Sequence, residues 1–209
     1  WVWVFRTAND MLLVIRPSRA RSRLLEILGE DFSGIVICDC WRAYNFLERL
    51  QRCWSHLLRK AEKHDGSLVA QNFYKRLITL FKEIKAFNAK KQSKKSRKRK
   101  YKEMTAKLKR LVEYYGQYEN MQSIITYISN NLENWFTCIK YEDVEPTNNY
   151  AEQAIRETVI IRKIIGAFRS ESGPEEYSKL ASLLATWKIR SLNICSKLKD
   201  MLIKHSQIC

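Results

Sequence analysis

Asp39 closes the short apolar run Ile35-Val36-Ile37-Cys38. A continuous run of that length reads as a buried strand. A carboxylate at its carboxyl end sits where open α/β sheets hold their ligands, though an Asp there serves equally to turn the chain or cap the next helix. Glu152 follows Asn148-Asn149 by about one helical turn and precedes Arg156 by four residues, a spacing that also fits an ordinary surface Glu–Arg pair. Cys38-x-Cys40 with Cys53-x-x-His56 offers a different chemistry, a zinc set. Against it, Cys-x-Cys spacing is cramped for one tetrahedral ion, and on a strand Cys38 and Cys40 share a face opposite Asp39. His64 and His205 carry no signal.

The elements that must position these groups follow from periodicity. Residues 1–7 and 11–16 are β-rich runs joined by Ala8-Asn9-Asp10, whose Asn and Asp tolerate left-handed turn geometry, so they predict a β-hairpin. Ser18 can cap a helix over 18–28 that Gly29 closes. A strand over 35–38, a short helix over 41–47, a strand over 50–53 and a helix through 59 complete an α/β pattern, a sheet whose edge begins as an antiparallel hairpin. Val69, Phe73, Leu77, Leu80, Ile84 and Phe87 then recur at helical spacing, as do Tyr101, Met104, Leu108, Leu111, Tyr115 and Tyr118. Met121 to Trp135 predicts a third helix. Nothing between Leu68 and Phe136 reads as a strand, so this stretch is an all-helical insertion. Beyond Pro146, Thr147 or Asn148 can cap a helix with Ala151, Ala154, Ile155 and Val159 on one face. Further helices are expected over 174–187, opened by Pro174, and over 193–203. Trp1, Trp3, Trp54 and Trp187 read as core residues.

Composition narrows the function. The chain has 209 residues, 45% of them hydrophobic, so a substantial core forms and wholesale disorder is excluded. Six Gly and three Pro argue against an all-β chain of many tight turns. No apolar run reaches the roughly 18 residues of a membrane span, and no signal peptide is visible, so the six cysteines read as reduced thiols of an intracellular protein. Lys and Arg number 38 against 22 Asp and Glu, a net charge of +16 that points to a polyanion, most often nucleic acid. Residues 75–110 hold 16 of the basic residues and only Glu83 and Glu103 as acids, a net of +14. The densest block contains Lys94, Lys95, Arg97, Lys98, Arg99 and Lys100. It reads either as a DNA-backbone grip at the tip of a helical hairpin, outside the apolar stripe, or as a disordered basic loop.

Several motifs, in order along most of the chain, resemble the insertion-sequence sixty-six family of transposases. Asp39-Cys40-Trp41-Arg42-Ala43-Tyr44 is similar to the family's second-acid motif, Asp-x-x-x-x-Tyr. Arg52-Cys53-Trp54-Ser55-His56-Leu57-Leu58-Arg59 is similar to its Arg-Cys-x-x-His-x-x-Arg segment. Asn148-Asn149-Tyr150-Ala151-Glu152-Gln153-Ala154-Ile155-Arg156 is similar to its third-acid motif, followed by Arg162-Lys163 and the run 168–173. Gln153 stands where the family commonly has Arg.

The resemblance implies an RNase-H-like core of the Asp-Asp-Glu type, with a mixed sheet starting at the hairpin and a large helical insertion before the last acid. The corresponding division is 1–66 for the first part of the core, 67–141 for the insertion and 142–209 for the C-terminal helical part. It implies Asp39 and Glu152 as catalytic metal ligands for two Mg²⁺ or Mn²⁺ ions. Tyr44, His56 and Arg59 are supporting residues, and Asn148, Asn149, Arg156, Arg162 and Lys163 join the basic block in contacting DNA. The expected substrates are double-stranded transposon ends and target, cut first by water and then joined by the freed 3′-hydroxyl, with the enzyme a homo-oligomer when active, cytoplasmic and nucleoid-associated. The family's first Asp is expected on a strand before Trp1, because Asp10 belongs to the hairpin turn. The chain alone is therefore expected to be catalytically incomplete. Two other classes fit the charge: a non-catalytic DNA-binding remnant of such an enzyme, and a basic helical RNA-binding protein.

Overall fold

The structure, a computed structural model, describes residues 1–206, and the side chains of these except Arg162, Ile165, Lys204, His205 and Ser206. It is mixed α/β and mostly helical. Its contacts gather into two compact units, Leu24–Asn148 and a second made of Trp1–Arg23 with the chain from Asn149 onward. The four strands form two separate two-stranded ladders rather than one continuous mixed sheet.

In the second unit, β1 (Val2–Arg6) and β2 (Met11–Ile15) pair antiparallel with Val4 opposite Leu13, the expected hairpin. Thr7 Oγ1 accepts the Asp10 N–H at 3.0 Å, and Arg190 is ion-paired to the Asp10 carboxylate, so Asp10 is a turn residue. Helix α1 (Arg21–Leu28), whose residues from Leu24 on belong to the first unit, starts three residues later than its capping signal suggests, because Ser18 Oγ accepts the Ala20 N–H in a turn ahead of the helix. Gly29 ends it at φ +83°. Trp3 is buried, whereas Trp1 is 62% exposed and is no core residue.

The first unit is built on a parallel pair, β3 (Val36–Cys38) and β4 (Leu50–Arg52), in which Cys38 faces Arg52. A 3-10 turn over Arg42–Phe46 connects them in place of the expected short helix. Next come α2 (Trp54–Glu62), α3 (Leu68–Asn88) and α4 (Lys94–Tyr115). The expected third helix is broken: α5 (Gln122–Ser129) ends at Asn130-Asn131, a 3-10 turn covers Leu132–Trp135, and α6 (Thr137–Lys140) follows. Asn131 leaves helical geometry and turns its side chain to Arg52. The core runs through Trp54, Leu57, Phe73, Leu77, Ile84, Met104, Leu108, Ile124, Ile128, Trp135 and Phe136.

The basic block is not a loop tip. Only residues 89–93 separate α3 from α4, and Ser93 caps α4 by accepting the Ser96 N–H, so the block forms the first turns of α4. Lys and Arg are good helix formers, and charge density does not by itself unfold a helix that has one face to bury.

The second unit continues with α7 (Asn149–Ile165), α8 (Gly173–Ile189) and α9 (Ile194–Ser206). Helix α7 packs on β1 and α8 on β2. On α7 the face expected to be apolar is only partly covered: Thr158 is buried, whereas Ile155 and Val159 remain exposed. No described helix is long and apolar enough to cross a membrane.

Candidate functional site

Asp39 is the residue after β3, at the carboxyl end of the parallel pair. Its Oδ1 accepts the Trp41 N–H at 3.0 Å, which starts the turn toward Tyr44. This is the capping role, and it leaves the carboxylate half-buried at the strand end. Its backbone is held by Arg52, whose Nη1 donates to Asp39 O at 2.6 Å. Arg52 is buried and also donates from Nη2 to Asn45 Oδ1 at 2.6 Å, from Nε to Asn131 Oδ1 at 2.8 Å and from Nη1 to Cys38 Sγ at 3.3 Å. One planar guanidinium thereby ties the ends of β3 and β4, the 3-10 turn and Asn131, the second residue past α5. Arg52 lies in the sequence motif, but neither it, Asn45 nor Asn131 has a role from spacing. The available signal was a polar pair, Gln51-Arg52, between the apolar Leu50 and Cys53-Trp54.

Gln51 is buried beside it. Its Nε2 donates to Arg52 O and Trp135 O, and its Oε1 accepts the Cys138 N–H at 2.7 Å. Trp54 Nε1 also donates to Trp135 O, at 2.6 Å. The chain from 131 to 138 is therefore latched onto β4 and α2 by polar groups that burial leaves no other way to satisfy.

Cys53 follows β4 directly, and its N–H donates to Cys38 O at 2.8 Å, so β4 enters α2 next to Asp39. Burial pushes the Cys53 thiol up, but hydrogen bonds from His56 and from the Asn148 N–H outweigh this and hold it below its ordinary value. Burial pushes Cys38 up to about 12, against the opposing pull of Arg52. Burial also raises Cys40, against a hydrogen bond with Tyr127. The zinc set does not form: among the described residues Cys38 and Cys40 do not join Cys53 and His56 in a metal-sized group of ligand atoms.

Tyr44 packs on the cluster of Cys38, Leu47 and Leu50, edge-on to Trp41 with ring centroids 6.0 Å apart. Arg59 is exposed in the last turn of α2. Asn148 donates its N–H to Cys53 Sγ at 3.5 Å, and its Oδ1 is buried without a hydrogen-bond partner.

Asn149 and Glu152 belong to the other unit, in the first turn of α7. The partial positive charge of a helix N-terminus favours a carboxylate at the position of Glu152. Arg156 and Lys163 are exposed on the same helix; the side chain of Arg162 lies outside the described residues.

Two of the six block residues do not face solvent freely. Arg97 is 5% exposed: its Nη1 donates to Ile139 O at 3.1 Å and its guanidinium lies 5.9 Å from the Phe87 ring centroid. It occupies the apolar stripe. Lys100 is ion-paired with Glu83 at 3.3 Å and Glu103 at 2.9 Å. Lys94, Lys95, Lys98 and Arg99 are exposed.

The family model described as "Transposase IS66 family" matches residues 1–176. No curated protein and no solved structure is significantly similar to the chain.

Proposed function

The chain belongs to the transposase IS66 family, and from that premise we propose that it is the Asp-Asp-Glu catalytic core of a DNA transposase. In this reading residues 67–141 are a helical insertion in an RNase-H-like core whose parts are 1–66 and 142–209. The observation that carries the proposal is the placement of Asp39: a carboxylate at the end of a parallel strand, its backbone carbonyl bonded by Arg52, whose other hydrogen bonds hold Asn45, Asn131 and Cys38 around it.

Asp39 and Glu152 are assigned as metal ligands. The donor chemistry fits Mg²⁺ or Mn²⁺: hard carboxylate oxygens suit these ions. Two such ions, when bound, stabilise the attacking and leaving oxygens of an in-line displacement at phosphorus. The chain's own residues do the positioning. Arg52 bonds the Asp39 backbone and the Trp41 N–H orients its carboxylate, while Glu152 is carried in the first turn of α7. Tyr44, His56 and Arg59 support the β3–β4 end, while Asn148, Asn149, Arg156, Arg162 and Lys163 contact DNA near the reacting strand. Asp10 is not assigned to the set, since it is engaged in the hairpin turn by Thr7 and Arg190. The active form is a homo-oligomer acting on double-stranded transposon ends and target.

The test uses the full-length protein. Asp39→Asn and Glu152→Gln each remove a metal-binding charge without adding bulk, so each should abolish strand nicking and leave duplex binding intact. Wild-type nicking by either variant removes that residue from the mechanism. Fe²⁺ with peroxide and ascorbate should cut the backbone near both 39 and 152, and Mg²⁺ should suppress both cuts. Cutting at one position alone would refute a shared metal site.

A further inference from the structure

We propose that the outward face of α4 is a sequence-independent grip on the phosphates of duplex DNA, formed by Lys95, Arg99 and Lys102 and continued by Lys109 and Arg110. This rests on the reading of DNA as substrate and names the surface that holds it. Helix α4 buries Arg97, Met104, Leu108 and Tyr115. At about 3.6 residues per turn, Lys95, Arg99 and Lys102 project from the opposite side, and all are exposed, as are Lys109 and Arg110. From Lys95 to Arg110 the face is about 22 Å long, enough to follow several phosphates of one strand.

Along the first part of this face the acids are drawn aside, while at its far end Glu113 pairs with Lys109 at 3.9 Å. Glu83 comes across from α3 to Lys107 at 2.7 Å and Lys100 at 3.3 Å, and Glu103 takes the same two lysines at 2.9 Å each. These four charges neutralise one another on one flank, so Lys95, Arg99 and Lys102 face outward with no acid between them. The first turn of α4 contains no acidic residue. Cations there oppose the helix dipole, and an anion lying along the face relieves that opposition.

The kind of anion follows from what the face lacks. No large apolar or aromatic side chain is exposed on α4 before Tyr114. A lipid surface is bound by basic residues flanking an apolar face, and single strands are bound by stacking on aromatics. Neither is present, there is no Asn or Gln on α4 to read adenine edges, and any reading of guanine by Lys or Arg would show as a difference between the two duplexes tested below. Phosphates of a duplex remain.

The experiment is a salt titration of binding to two unrelated duplexes, in EDTA so that no strand is cut. It compares wild type, K95Q/R99Q/K102Q and the flank control K100Q/K107Q, with circular dichroism confirming the fold of each. The triple variant should lose affinity by the same factor on both duplexes. Its plot of log affinity against log salt should be shallower by about 2.7, at about 0.9 per phosphate contact, while the control keeps the wild-type slope. An unchanged slope in the triple variant overturns the proposal. So does an equal loss in the control, a loss on one duplex only, or tighter binding to phosphatidylserine vesicles than to either duplex. A full-length protein that shows the slope change but never nicks DNA refutes the catalytic reading alone; one that nicks without the slope change refutes this one alone.

Discussion

Arg52 brings a full positive charge into a site that is 1% exposed, and its partners there are two amide oxygens, a backbone carbonyl and a thiol. A buried donor or acceptor left unpaired costs about 1–3 kcal/mol. Arg52→Met strands Asn45 Oδ1, Asn131 Oδ1 and Asp39 O together, and Arg52→Lys keeps the charge but cannot reach three directions at once. Both should destabilise by about 3 kcal/mol or more in urea melts, and a loss under about 1 kcal/mol in both would mean that the network does not hold the strand ends. Arg97 makes a related case. Its guanidinium is bonded to Ile139 O and stacked near Phe87, so Arg97→Gln should cost about 1–3 kcal/mol, whereas Lys98→Gln, on an exposed position, should stay within about 0.5 kcal/mol. These two arginines were the least legible residues of the sequence. A scan for apolar residues at helical spacing passes over an Arg whose stem fills a core position, which is why the start of α4 looks like loop until Tyr101. Asp39 was singled out by the resemblance of its motif and not by spacing, because an Asp after an apolar run serves equally as a cap, and here it accepts the Trp41 N–H.

At the scale of elements, the free edge of β2 shows how a two-stranded ladder is kept from further pairing. Helix α8 covers that edge with hydroxyls. Ser182 Oγ accepts the Leu13 N–H at 2.9 Å and donates to Leu13 O, and Thr186 Oγ1 does the same for Met11 at 3.1 Å in each direction. An edge strand otherwise presents unpaired backbone groups to any other chain. Ser182→Ala with Thr186→Val removes three hydrogen bonds to the strand edge and a fourth, weaker one, since the Ser182 hydroxyl proton is shared between Leu13 O at 3.2 Å and Ser178 O at 2.6 Å, while keeping the packing of α8 nearly unchanged. The double variant should lose about 2–4 kcal/mol, at about 1 kcal/mol per bond, and become prone to self-association, measurable by light scattering below the melting temperature. Full stability with no association would show that solvent satisfies the β2 edge instead. Such side-chain-to-edge pairing leaves no mark in a periodicity pattern. The hairpin itself was readable from Asn9-Asp10 between β-rich runs. The break after α5 was not, because the 3-10 turn still delivers Trp135 to the core at a spacing that mimics a continuing helix. The Asn130-Asn131 pair was the local hint.

Across the molecule, pH links the buried thiols to stability. Cys38 and Cys138 are both pushed up to about 12 by burial. Above about pH 9 an unfolded chain releases these protons while the folded chain keeps them. Unfolding then releases protons, so stability falls as pH rises, by up to about 1.4 kcal/mol per pH unit for each thiol. The fall ends near pH 12, where the folded thiols ionise as well. Cys53 has the opposite sign: its folded thiol lies below the ordinary value, so its contribution is complete above about pH 9 and is lost as pH falls through its folded value. Taken together the thiols place a stability maximum near pH 9. Tyrosines and lysines also ionise in the alkaline range, so the informative quantity is the difference in slope between variants. Urea melts from pH 7 to 11 should show a steep alkaline decline in the wild type and a flatter one in C38A/C138A, whatever the two cavities cost in absolute stability. In C53A the rise below pH 9 should shrink while the alkaline decline stays. Equal alkaline slopes in wild type and the double variant would mean that the folded chain does not protect these thiols, and would remove the burial that keeps a neutral Cys38 beside the Asp39 carboxylate.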